Sequence, residues 1–181
     1  MAAGGSGIGR RGAQAGMSGA RSHANHRLYL ARVLLDCWRD ALARETVPAV
    51  TLSQAFGEAV REHLVAAYGW FLLEITRPEP LPAHPPRGCA ELPGVAAGKA
   101  VPGEIRELAQ LEEGGWLAAL LSGEEPAPEA RRGDARRGDA RRSDGNLAVP
   151  ADHAPGPGQL QQWADYLEGL FDRMGEFLDE Y

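Results

Sequence analysis

The stretch from Thr51 to Thr76, TLSQAFGEAVREHLVAAYGWFLLEIT, constrains the fold more than any other part of the chain. It opens with Thr51 and, three residues on, Gln54, the spacing of a capping box. It closes at Arg77-Pro78, because proline disfavours helical geometry in the residue before it. Leu52, Ala55, Phe56, Ala59 and Val60 share one face of its first half, with Gln54, Glu58, Arg61 and Glu62 opposite. Between Leu64 and Leu73 no residue is charged. A helix apolar all round is buried on more than one side. The spacing therefore predicts a central helix over 51–76 that needs several neighbours.

Three further helices are expected. The first, about 25–45, takes Asn25 as N-cap and carries Leu28, Ala31, Leu35, Trp38 and Leu42 in one stripe, with Leu30, Leu34, Cys37 and Ala41 beside it. Val47-Pro48 ends it, and so short a connection implies an antiparallel hairpin with the central helix. The third, 102–121, starts at Pro102 and holds Ile105, Leu108, Leu111, Trp116 and Leu120. Gly114-Gly115 costs about 2 kcal/mol of helix propensity, so a break is expected there. The last, 159–180, has Leu160, Trp163, Leu167, Leu170, Met174, Phe177 and Tyr181 at alternating spacings of three and four. That is the seam of a helix seated in a bundle or coiled coil. The fold class implied is all-α, an up-down four-helix bundle forming a single domain over 25–181.

The 23 Gly and 13 Pro fall mostly between these segments. Residues 1–24 are Gly-, Ser- and Arg-rich and read as disordered; Met17 lies within them as an alternative start. Residues 77–101 read as an extended Pro/Gly linker. The insert 124–158 contains the pentads ARRGD, ARRGD and ARRSD, a period shorter than any solenoid unit. Its Arg132-Gly133-Asp134 spells an adhesion tripeptide that would need export, and the Gly/Ala/Arg-rich first residues do not read as a secretory leader. Cytoplasm is the default compartment. Two cysteines, Cys37 and Cys89, make no disulfide framework, and the uncharged run 64–73 is too short to span a bilayer. The net charge of −6 argues against general nucleic-acid affinity. Residues 1–34 nevertheless carry five Arg and no acid, whereas 159–181 carry six acids and one Arg. Two parts of one fold attracting each other is the favoured reading of that asymmetry.

No catalytic constellation stands out. Gly7-Ile8-Gly9-Arg10-Arg11-Gly12 matches a dinucleotide fingerprint but lacks the strand before it and the βαβ unit around it. Glu-x-x-His, which a di-metal bundle needs twice, is absent from the chain. No metal or cofactor is therefore expected. His63 reads as a hydrogen-bonded core histidine, and Tyr68 and Trp70 as core or interface aromatics that could alternatively line an apolar pocket with it. Arg21-x4-His26 matches the short Arg/His signature of helical-bundle ribonucleases, where the pair polarises a phosphodiester. The expected function is a non-enzymatic protein–protein interaction or homodimerisation module, motivated by surplus apolar surface on the central helix. The alternatives are an RNA- or nucleotide-acting enzyme using Arg21 and His26, and a binder of an apolar small molecule near His63, Tyr68 and Trp70.

The stretches NHRLYLARVLLDCWR, EAVREHLVAAYGWFLLEI and IRELAQLEEGGWLAALL, with Trp163, Leu167 and Leu170 before a terminal Glu180-Tyr181, resemble a small uncharacterised family of helical proteins from pseudomonads and related gammaproteobacteria. In that family a first helix opens with Asn, a second carries His-Leu…Tyr-Gly, and a tryptophan-bearing helix closes the chain. The resemblance implies the helical fold and implies no activity.

Overall fold

The structure, a computed structural model, describes residues 19–92, 103–123 and 154–178, with side chains in the last segment through Met174. The Gly7–Gly12 motif, Pro102, the Arg-Gly-Asp pentads and the side chains of Phe177 and Tyr181 lie outside them. Among the described residues the chain is all-helical, with no strand: α1 (Gly19–Ala43), α2 (Ala49–Thr76), α3 (Gly103–Glu112), α4 (Gly115–Ser122) and α5 (Pro157–Leu178), plus one 3-10 turn at Cys89–Glu91.

α1 and α2 form the expected antiparallel hairpin. His23 stacks on Trp70 at one end, and Trp38 on Phe56 at the other. α5 lies across both, antiparallel to α1. Arg32 of α1 donates to Glu168 (2.8 and 2.7 Å) and Asp165 (3.2 Å), Arg39 donates to Gln161 (3.0 Å), and Phe71 stacks on Phe171 of α5. Arg32 of the basic start thus meets Asp165 and Glu168 of the acidic end. Hydrogen bonding to Glu168 raises the Arg32 pKa, and the same pairing holds Glu168 below the usual carboxylate range. Both partners are partly exposed, so the contribution is about 0.2–1 kcal/mol.

Two helix starts differ from expectation. α1 begins six residues before Asn25, which sits exposed inside the helix and caps nothing. Residues 19–24, expected to be disordered, are helical because Ala20 and Ala24 are buried and His23 has an aromatic partner. α2 begins at Ala49 rather than Thr51. Its N-cap is Pro48, whose carbonyl accepts from the Thr51 and Leu52 N–H groups at 3.0 and 3.1 Å, with no side-chain cap. At the other end Arg77 takes a left-handed conformation and its N–H donates to the Leu73 carbonyl at 2.9 Å.

The Gly-Gly break occurs as expected, splitting the third element into α3 and α4; Gly115 has φ +74°, a value glycine reaches at little cost. The last carbonyls of α4, on Leu120 and Leu121, accept from Arg61 of α2 at 3.3 Å each. Such terminal carbonyls have no partner inside their own helix. Leu160, Trp163, Leu167, Leu170 and Met174 are all buried, and Ala164 and Phe171 widen that seam into a broader core face.

Candidate functional site

The C-terminal half of α2 is covered by its own chain. Residues Leu64–Ile75 are buried apart from Ala66, and the segment after α2, expected to be an extended linker, runs back over them as a strap. Pro85 and Pro86 seat on Gly69, where a Cβ would overlap the Pro86 carbonyl oxygen. The surplus apolar surface expected on this helix is therefore satisfied within the chain, by the strap and α3 together with α1 and α5.

A polar cluster pins the strap down. The Tyr68 hydroxyl, fully buried, donates to Glu112 Oε1 at 2.7 Å, and the Cys89 backbone N–H donates to the same oxygen at 2.8 Å. Arg87 holds both carboxylate oxygens of Glu62 at 2.9 Å. Burial first, then the bond to Glu112, drives the Tyr68 pKa far above the ordinary phenol range. Burial likewise pushes the Cys89 thiol up to about 11. A nucleophilic thiol needs the opposite shift. The cluster is suited to holding α2, α3 and the strap together, and unsuited to thiolate chemistry. Glu112 is the residue sequence reasoning missed. The only local signals were Tyr68, a polar tip in an apolar run, and Gly69 beside it.

His63 is only partly buried, on the α1 side of α2, and not in the core as expected. Its Nδ1 lies 3.3 Å from Nη1 of Arg27; a guanidinium only donates, so this nitrogen accepts and the ring is neutral. Burial, then the charges of Arg27 and His26, hold the imidazole pKa below its usual value. Trp70 is buried beneath His23, with ring centroids 4.5 Å apart. Tyr68 faces the strap and α3, whereas His63 and Trp70 meet α1, so the three do not converge on one cavity. Arg21 and His26 both sit on α1, Arg21 half-buried and His26 exposed. Five residues apart on a helix places them about 140° apart around its axis. They do not face one phosphodiester. Among the described residues no group of three or more His, Cys, Asp or Glu is placed to hold a metal ion, and no helix is long and apolar enough to cross a membrane.

The outward face of α1 is different. Cys37, expected on the buried side, is exposed there. With it stand Tyr29, 62% exposed, and Val33, 39% exposed, at positions i, i+4 and i+8. Four residues turn a helix by about 400°, so these side chains stack in a row. α2 and α5 take the opposite sides of α1, and no described element covers this row.

The family of unknown function DUF6586 matches residues 17–181, and the chain belongs to it. No curated protein and no solved structure matches the chain.

Proposed function

We propose that this member of the family is a non-enzymatic interaction module that binds protein through the outward face of α1. The row Tyr29–Val33–Cys37 carries this reading: apolar side chains in water, aligned along one helix, while the C-terminal half of α2 is folded away. Single exposed apolar residues are ordinary, but a contiguous row marks a contact surface. We take α1, α2, the α3–α4 pair and α5 as the four members of an up-down bundle, with α1 presenting its free side. Two free thiols fit a reducing, cytoplasmic setting.

Light scattering across micromolar concentrations tests the reading, combined with quantitative cross-linking of the parent and a Val33→Arg variant in lysate. A mass above that of the monomer, or a defined partner lost in the variant, supports it. A strict monomer with no partner that depends on Val33 overturns it.

A further inference from the structure

The outward face of α1 has a symmetry that identifies its occupant. His26, Tyr29, Val33, Cys37 and Asp40 are all exposed and fall within an arc of about 80° at 100° per residue. Their spacings are three, four, four and three, the same read from either end. We propose that a second copy of this chain docks here, its α1 antiparallel to the first and related to it by a two-fold axis through Val33.

In that arrangement Val33 meets the other copy's Val33, and Tyr29 of each chain packs on the Cys37 sulfur of the other, a contact that sulfur and aromatic rings favour. His26 of each chain faces Asp40 of the other. Within one chain neither side chain has a hydrogen-bond or ion-pair partner among the described residues, while the neighbouring Asp36 is already held by Arg39 at 3.3 Å. An isologous interface requires a patch complementary to itself. An apolar centre flanked by a donor at one end and an acceptor at the other, at equal distances, meets that requirement. Parallel pairing does not, since it would set His26 against His26 and Asp40 against Asp40. One helix pair covers less than the roughly 800 Å² per partner of a standard interface, the size class of weak or transient association.

This inference rests on the interaction reading above, and its test separates the two. Sedimentation equilibrium of the full chain is compared for the parent, His26→Asp, Asp40→His and the double exchange. Each single variant sets like groups against each other and should weaken self-association about tenfold or more; the double exchange should restore it. A Val33→Cys substitution in a Cys37→Ser background should cross-link chain to chain through position 33 under mild oxidation. A parent that is strictly monomeric overturns the second-copy proposal and leaves binding of a different protein standing. A dimer indifferent to these variants, or a double exchange as weak as the singles, overturns the register. None of the four substituted side chains is buried in the monomer, so loss of folding does not confuse the outcome.

Discussion

Two apolar surfaces of this protein meet opposite fates. From Leu64 to Leu73 α2 is apolar all round and is sealed by its own chain, through a proline strap on Gly69 and a half-buried carboxylate, Glu112, held by Tyr68 and Cys89. The outward row of α1 is equally apolar at its centre and is left in water. The difference lies in what surrounds each. Covering α2 required placed polar groups, because every buried N–H or O–H on the strap needs a partner. On α1 the flanking side chains, His26 and Asp40, have no hydrogen-bond or ion-pair partner among the described residues and are available to another molecule.

Breaking the seal should have the largest effect. Gly69→Leu forces a side chain into the Pro85 ring and the Pro86 backbone and should cost about 3 kcal/mol in chemical denaturation. Tyr68→Phe removes the hydroxyl that serves Glu112 and should cost about 1–2 kcal/mol, leaving a half-buried acceptor short of one donor. A cost near zero would mean that Glu112 finds water instead and that the cluster does not hold the strap.

Acid should weaken both regions modestly, and the signs agree. Glu62 and Glu168 are held below their ordinary value of 4.5, so the stability they contribute is present above that value and is lost as pH falls through their folded pKa values. The His63 pKa is lowered from 6.5, so the unfolded chain binds its proton more readily and stability declines as pH falls below 6.5. Thermal denaturation of His63→Gln between pH 7.5 and 5.5 should show a flatter profile than the parent. The smallest effect on folding belongs to α1: Val33→Arg should change monomer stability by no more than about 0.5 kcal/mol, while abolishing self-association. A large loss of stability would mean that Val33 is part of the core after all.

Much of the fold was legible in the sequence because it follows from periodicity. The seam of α5 from Leu160 to Met174, the burial of Leu64–Leu73 apart from Ala66 and the break at Gly114-Gly115 all depend on local pattern. What was illegible depends on contacts distant in sequence. The stack of His23 on Trp70 extends α1 beyond Asn25, and Pro48 displaces Thr51 as the start of α2. Pro85, Pro86 and Gly88 read as linker until Gly69 and Glu112 give them a surface to lie on. Cys37 was misplaced for a related reason. An amphipathic arc as wide as that of α1 does not reveal which of its two stripes the neighbouring helices will take, and α2 and α5 settle on Leu28, Ala31, Leu35 and Trp38.

The most direct test of the contrast is a concentration series of backbone amide spectra, from tens of micromolar to millimolar protein. The amides of Tyr29, Val33 and Cys37 should shift or broaden together with His26 and Asp40, while those of Tyr68, Gly69 and Cys89 stay fixed. Spectra that do not change along α1, or changes centred on the strap and the C-terminal half of α2, would contradict the account.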